Sequence, residues 1–167
     1  MAYTKSQLLE SLPQVGKVEW IGIRAERRAD VEPVSEITVD VEAGLSGDHY
    51  SRNGGKRQIT LVQAEHIEAV EKMLARSVDP GALRRNIVIS GINILAFTDR
   101  KFTLGEVVLE MTGLCYPCSR IEENVGPGAY NAMRGHGGIT AKVIKGGTLR
   151  VGDEVRLYQE PEAVEVS

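Results

Sequence analysis

The residues with the clearest capacity for chemistry are the two cysteines of the chain, Cys115 and Cys118. A cysteine thiolate is a strong nucleophile and a good ligand for soft metals. Because two residues separate them, the pair has the C-x-x-C spacing of a redox dithiol or of half a zinc site. The two sites need different surroundings, so the neighbouring sequence must decide between them.

The surroundings favour neither site. A redox dithiol requires a strand before the pair and a helix after it within alternating βαβ units, whereas this chain is predicted to consist mainly of strands. A zinc site lacks its second ligand pair, because His49, His66 and His136 are not paired at ligand spacing. Buried cysteines often act as small apolar side chains, but Ser119 and Arg120 give this pair a polar setting. The remaining interpretation is one thiolate that binds an exogenous soft centre.

A glycine-rich segment at 126–138 contains Arg134, His136 and Gly137. Glycines allow backbone N–H groups to converge on an anion, and an arginine can bind a phosphate through two parallel hydrogen bonds. The same composition is typical of a long connecting loop whose glycines adopt positive φ angles. Composition alone leaves both interpretations open.

Two further polar groups precede predicted strands. Arg84 and Arg85 stand before an apolar strand, where they are either solvated charges or an anion clamp. The loop at 44–57 combines Asp48 and His49 with several cations. It is either catalytic or a surface loop held by a turn at Asp48.

The elements that position these residues are predicted to be short strands separated by turn residues. Strands are predicted at 16–25, 37–41, 57–62, 86–94, 101–111 (two strands joined at Gly105), 139–144, 148–151 and 154–158. The last three are expected to pair as a hairpin ladder that closes a sheet.

One longer helix is predicted over 63–76, where Ile67, Val70 and Leu74 recur at helical spacing. A short helix is predicted near 6–12. Many short strands with few helices predict a mostly β (α+β) fold, a β-barrel with a few short helices. We expect one domain over 5–158, followed by a flexible tail at 159–167.

Composition restricts the class of protein. The 167 residues are 42% hydrophobic and 26% charged, with a net charge of −3, which is ordinary for one soluble domain. The Lys and Arg residues are scattered among acidic residues, so the sequence offers no basic field for nucleic acid. No signal peptide or run of about 20 apolar residues is present. We therefore predict a cytoplasmic protein without membrane partners, a location that argues against a permanent disulfide.

Four elements in this order resemble the MOSC domain, the C-terminal domain of molybdenum cofactor sulfurases. They are GLSGDHY at 44–50 with KRQITL at 56–61, RRNIVISG at 84–91, PCSRIE at 117–122, and RGHGGI at 134–139. The matches extend over most of the chain.

The resemblance implies a β-barrel that binds the molybdenum cofactor, a pterin dithiolene that carries molybdenum and a phosphate. Cys118 matches the cysteine that reaches the metal or carries sulfur toward it, and would be both catalytic residue and metal ligand. Arg84 and Asn86 match the arginine and asparagine that face the pterin or its phosphate. Further cofactor contacts are expected from Arg134, His136 and Gly137.

Two functions are consistent with this resemblance. The first is an oxidoreductase that reduces N-hydroxylated or related substrates with electrons from a separate donor protein. The second is a non-enzymatic cofactor carrier or sulfur-relay module with a persulfide on Cys118. The sequence contains no aminotransferase-like domain, so any pyridoxal phosphate would belong to a separate sulfur-donor partner. A dithiol oxidoreductase would also require Cys115, whose role stays open.

Overall fold

A computed structural model describes residues 2–49 and 55–161, and these ranges consist mainly of short strands. The strands are β1 (Gly16–Ile23), β2 (Glu32–Val34), β3 (Glu36–Asp40), β4 (Gly44–Leu45), β5 (Ile59–Gln63), β6 (Ile87–Ser90), β7 (Lys101–Leu104), β8 (Val107–Leu114), β9 (Ile139–Lys145), β10 (Gly147–Arg150) and β11 (Glu154–Leu157). The helices are α1 (Lys5–Glu10), α2 (Ala64–Leu74), α3 (Ser119–Val125) and α4 (Ala129–Met133), with short 3₁₀ helices at Pro80–Leu83 and Ile94–Phe97. In the described ranges no helix has the length and apolarity needed to cross a bilayer.

Seven strands close into a barrel in the order β1-β6-β5-β9-β8-β7-β11, because β11 pairs back onto β1. Strands β5 and β6 are parallel and are connected through α2, while the other neighbours in the barrel are antiparallel. Strand β2 pairs with the last residues of β1, and β10, β3 and β4 form a separate three-stranded sheet. The predicted mostly β barrel with a few short helices is confirmed.

Two apolar clusters lie on opposite faces of β5 and β6. Leu61 and Ile87 belong to the larger cluster, which fills the barrel and includes the stacked rings of Phe97 and Phe102. The neighbouring residue Val62 belongs to a second cluster, beneath α2, α3 and α4. Because both faces of these strands are buried, apolar residues occupy consecutive positions, Leu61 and Val62 in β5 and Ile87 to Ile89 in β6, instead of alternating with polar ones.

The predicted helix over 63–76 is present as α2, with Gln63 at its N-cap position. The predicted hairpin ladder at the end of the chain is wrong. Strand β9 pairs with β8 and β5, β10 pairs with β3, and β11 pairs with β7 and β1. Pairing on both sides of β11 closes the barrel and removes an exposed strand edge, which local turn signals do not reveal.

Two predicted loops contain short regular elements. The segment at 126–138 contains α4, which has only five residues between glycines, and the loop at 44–57 begins with β4. Residues 50–54 of that loop lie outside the described ranges. The predicted tail at 159–167 likewise extends beyond residue 161, where the described part of the chain ends.

The carboxylate of Glu122 joins α3 to the start of α4. Its two oxygens accept hydrogen bonds from the backbone N–H groups of Gly128 and Tyr130, each with a donor–acceptor distance of 2.7 Å. The bond from Tyr130 and then that from Gly128 hold the pKa of Glu122 below its ordinary value of 4.5, and the charge of Arg76 lowers it further, although desolvation opposes them.

We expect Glu122→Gln to lower the melting temperature at neutral pH by an amount that shrinks in acid. Because the pKa of Glu122 is lower in the folded chain, its stabilising contribution is complete above the unfolded value and is lost as the pH falls through the folded value. Thermal unfolding between about pH 3 and pH 7 measures the difference from the wild type. Glu68→Gln on the exposed face of α2 is the control. A difference that does not change with pH would contradict this role of Glu122.

Candidate functional site

A cavity of about 740 Å³ lies beside one row of strand partners in the barrel. The row runs across five strands through Leu114, Ile139, Leu61, Ile87 and Ile21. Two residues of the cavity lining are sequence neighbours of this row: Thr60 precedes Leu61, and Cys115 follows Leu114. The loops after β1 and before β5 complete the wall. The barrel therefore brings together segments that are far apart in the sequence.

The cavity is strongly cationic. Among its fourteen described lining residues, eight are Lys or Arg and none is Asp or Glu. The cations are Arg24, Arg27, Arg28, Lys56, Arg57, Arg84, Arg85 and Arg120. They come from four separate segments, so the fold concentrates positive charge that the sequence, with its net charge of −3, disperses. A pocket of this kind attracts anions.

Arg85 is a buried residue of the cavity lining and holds three backbone segments together. Its Nε donates to the Gly137 carbonyl oxygen at 2.8 Å, Nη1 to Leu83 at 3.1 Å, and Nη2 to Tyr116 at 3.3 Å. Burial lowers the pKa of Arg85 and the nearby charge of Arg57 adds to this, while the thiolate forms of Cys115 and Cys118 raise it. The guanidinium thus lies within electrostatic reach of both sulfur atoms.

The two cysteines differ in exposure although both line the cavity. Cys115 is buried, Cys118 is exposed, and both are free thiols. Cys118 occupies the N-cap position of α3, directly before Ser119. A strand does precede the pair and a helix does follow it, but β8 is antiparallel to both of its neighbours, β7 and β9. The pair therefore does not lie in the βαβ setting that a redox dithiol of the thioredoxin type requires.

Glycines at 137 and 138 allow the chain to pass very close to the cysteine segment. A Cβ atom on Gly137 would lie 2.0 Å from the Cys115 carbonyl oxygen, and one on Gly138 would lie 1.9 Å from that of Leu61. Gly138 also has a φ angle of +90°, and its carbonyl oxygen accepts a hydrogen bond from the Cys115 N–H. The two glycines hold the backbone of Cys115 against β5.

Comparison with known proteins agrees with the fold and the motifs. The family model described as "MOSC domain" matches residues 47–156. The chain belongs to the MOSC-domain family. MOSC domains in general bind the molybdenum cofactor. A search of curated protein sequences finds no match.

Solved structures of bacterial proteins share this MOSC fold. YuaD from Bacillus subtilis is 20% identical with a TM-score of 0.74, and the alignment covers 89% of this chain and 100% of YuaD. YiiM from Geobacillus stearothermophilus is 18% identical with a TM-score of 0.68, covering 86% of this chain and 75% of YiiM. YiiM from Escherichia coli is 17% identical with a TM-score of 0.63, covering 89% of this chain and 72% of YiiM. These likenesses show a common fold.

The MOSC motif at the start of β6 places its residues in different environments. Arg84 lines the cavity and adopts a left-handed conformation with φ of +58°. Such backbone strain is found preferentially at functional sites. The cavity lining does not include Asn86, whose carboxamide is bonded within the protein: Oδ1 accepts from the N–H and hydroxyl of Thr60, and Nδ2 donates to Gly22 and Asp48.

The predicted residues of the glycine-rich segment lie outside the described cavity lining. Arg134 is exposed at the end of α4. The His136 ring packs edge-on against His66 of α2 with a centroid distance of 5.3 Å, and its Nδ1 lies 3.1 Å from the Ala132 carbonyl oxygen. Burial lowers the pKa of His66 and the charge of His136 lowers it further, whereas Glu65 raises it. Cofactor contacts by Arg134 and His136 stay predictions.

Several cavity residues were not singled out in the sequence. Arg24 follows β1, and Arg27 and Arg28 lie in the loop after it. Lys56, which precedes β5, was quoted only as part of a motif, without a role in the site. In the sequence, each of these cations lies near the end of a predicted strand. The sequence does not show which strand ends lie side by side, because that depends on the pairing order of the strands. In the described ranges no group of three or more His, Cys, Asp and Glu residues forms a metal site.

We expect Arg84 and Asn86, which are two positions apart, to respond differently to substitution. Asn86→Ala removes four hydrogen bonds, among them the two that Thr60 donates and the one that the Gly22 carbonyl accepts, so the free energy of unfolding should fall by about 2–4 kcal/mol. Arg84→Gln keeps the fold and should change that free energy by less than about 0.5 kcal/mol. Urea denaturation measures both. Equal stability of Asn86→Ala and wild type would refute the positioning role of Asn86.

Proposed function

We propose that this MOSC domain is a molybdenum-cofactor-dependent oxidoreductase that reduces N-hydroxylated or related substrates with electrons from a separate donor protein. The observation that carries the proposal is one exposed thiol, that of Cys118, at a cavity lined by eight cationic side chains. The general affinity of the family for this cofactor supports it. The protein would act in the reducing cytoplasm, where Cys118 stays a free thiol.

The donor set of the cavity fits the cofactor. A phosphate monoester carries a charge of about −2 at neutral pH, and planar guanidinium groups bind such oxygens through two parallel bonds. A thiolate is a suitable ligand for a soft metal centre. The cavity volume of about 740 Å³ also lies in the range of about 300–1,000 Å³ that is typical of small-molecule and cofactor sites.

We assign the inner, partly buried cations to the cofactor. Arg84 would bind the phosphate, supported by Arg24 of the same cavity lining, and Cys118 would bind molybdenum. Arg85 would act at longer range, because its N–H groups already donate to three backbone carbonyls. Asn86 and Gly137 would position these groups, Asn86 through Thr60 and Gly137 through Arg85. Arg134 and His136, which lie outside the described cavity lining, would contact only a ligand that extends beyond the cavity.

When bound, the cofactor supplies a redox-active metal that exchanges electrons with the substrate. Reduction of an N–O bond consumes two electrons and two protons and releases water. The chain would hold the metal through Cys118, and the rigid Pro117 before it would orient that thiolate. Cys118 is exposed, so substrate and water can reach it.

We expect Cys118→Ser to lose molybdenum and activity, while Cys115→Ala retains both. Loss of groups that only orient a metal ligand costs about 10- to 100-fold in affinity or activity, so loss of the ligand itself should cost at least as much. Both variants should be produced in a host that synthesises the cofactor. Metal analysis gives molybdenum per chain, and reduction of an N-hydroxylated compound with reduced methyl viologen gives the activity. Wild-type protein without molybdenum, or Cys118→Ser with full occupancy and activity, would refute the proposal.

The second candidate function is a sulfur relay, favoured by the exposure of Cys118 to a protein partner. The Cys118 thiolate would attack the outer sulfur of a persulfide on the donor protein. An S–S bond would form on Cys118 as the donor's S–S bond breaks, and the donor cysteine would leave as a thiolate. Pyridoxal phosphate, if involved, would belong to that donor.

We expect the relay, if it operates, to add the mass of one sulfur atom to Cys118 after exposure to a persulfide donor. Mass spectrometry of the intact protein and of its peptides locates the added mass, and reduction with dithiothreitol should remove it. Cys118→Ser is the matched control, since it retains Cys115. An unmodified Cys118, or a sulfur atom carried by Cys115 alone, would count against the relay.

A further inference from the structure

The cations of the cavity exceed what one cofactor phosphate requires. Arg120 is paired with Glu123 at 3.6 Å, so seven of the eight cations remain to be offset. One phosphate monoester of charge about −2 and the two dithiolene thiolates of the cofactor, of about −1 each, would leave a surplus of about +3. This surplus of positive charge in the cavity needs an explanation.

The cations of the cavity differ in their exposure to solvent. Arg27, Arg28, Lys56 and Arg57 are exposed, whereas the other four cations are partly or fully buried. We call the exposed four the outer cations. Arg27 and Arg28 come from the loop after β1, and Lys56 and Arg57 from the segment before β5. Two separate segments therefore contribute like charges to one cavity.

The outer cations are not compensated by acidic residues within the described part of the chain. The ion pairs found there involve Arg100, Arg120, Lys142, Arg150 and Arg156. Residues 50–54, which the structure does not describe, contain Arg52 and no Asp or Glu.

Two observations distinguish the outer cations from ordinary solvated surface charge. Arg57 and the buried Arg85 line the same cavity, and the charge of Arg57 contributes to the lowered pKa of Arg85. Arg28 has a left-handed backbone conformation with φ of +65°. Strain of this kind in a residue other than glycine costs about 1–2 kcal/mol and clusters at ligand sites. Like charges brought together in a cavity repel one another unless an anion lies between them.

We propose that the outer cations bind a second phosphate group, distinct from the phosphate of the cofactor's pterin. This proposal rests on the proposed function for the identity of the first phosphate. The second phosphate has two possible sources with the same chemistry: a nucleotide extension of the cofactor, or a phosphorylated substrate. In both cases the outer cations select phosphate-bearing ligands over their uncharged counterparts.

The test uses the purified protein with its molybdenum content determined. The variant is Arg27→Gln combined with Arg28→Gln, since glutamine preserves length and polarity at both positions. The control is Lys17→Gln combined with Lys72→Gln, two exposed lysines outside the cavity lining, which changes the net charge equally. One arm measures nucleotide released by acid hydrolysis per molybdenum. The other compares adenosine monophosphate with adenosine by isothermal titration.

Two results would support the proposal. Release of about one nucleotide per molybdenum, lost in the variant and kept in the control, assigns the second phosphate to the cofactor. Without released nucleotide, adenosine monophosphate should bind at least about tenfold more tightly than adenosine, with that preference lost in the variant, kept in the control and weakened by salt. Absence of both nucleotide and phosphate preference, or equal loss in the control, would overturn it.

Failure of the proposed function gives a different pattern. If the wild-type protein carries no molybdenum, titration of adenosine monophosphate into that metal-free protein still tests the outer cations directly. A phosphate preference that depends on Arg27 and Arg28 would then support the phosphate site while the oxidoreductase is rejected. Molybdenum that is bound normally, together with no phosphate preference and no released nucleotide, would reject the phosphate site alone.

Discussion

The buried guanidinium of Arg85 is the interaction on which the site depends. It joins the start of β6, the cysteine segment and the glycine-rich segment by donating to the carbonyl oxygens of Leu83, Tyr116 and Gly137. Removing an arginine from water costs several kcal/mol, and charge-assisted hydrogen bonds of about 1.5–3 kcal/mol each offset that cost. A lysine could not replace it, because a compact ammonium group lacks the planar, spread-out N–H donors with which the guanidinium reaches three separate carbonyls.

The contacts of this buried charge depend on close backbone packing around it. The Gly137 carbonyl can reach Arg85 only because the chain passes within contact distance of Cys115, where a Cβ atom would not fit. The hydrogen bond between Cys115 and Gly138 then fixes the start of the cysteine segment, which leaves Cys118 at the exposed end before α3. The different environments of the two cysteines thus follow from backbone geometry. Arg84, adjacent to the buried arginine, is directed to the cavity wall by its left-handed conformation.

Much of the fold could be predicted from the sequence, because strand and helix patterns are local. The alternation of Ile37 and Val39 marks β3, and the spacing of Ile67 and Val70 marks α2. Pairing order is not local, so the closure of the barrel through β11 and the separate sheet containing β10 were not predicted.

The site could be predicted only in part. Motif resemblance led to Arg84 and Cys118, which both line the cavity. It did not distinguish them from Asn86, whose carboxamide is engaged within the protein, or reveal Arg85 as the residue that holds the segments together. An arginine whose N–H groups donate to backbone carbonyls, such as Arg85, holds the structure together, whereas an arginine without such carbonyls beside it can bind a ligand. The concentration of eight cations likewise arises from strand ends that only the closed barrel makes neighbours.

The most direct test of the account is X-ray absorption at the molybdenum edge of the cofactor-loaded protein, compared with that of any Cys118→Ser protein that retains metal. The account predicts one more sulfur ligand on molybdenum in the wild type than in the variant, and an unchanged sulfur count in Cys115→Ala. The same number of sulfur ligands in wild type and Cys118→Ser would contradict it.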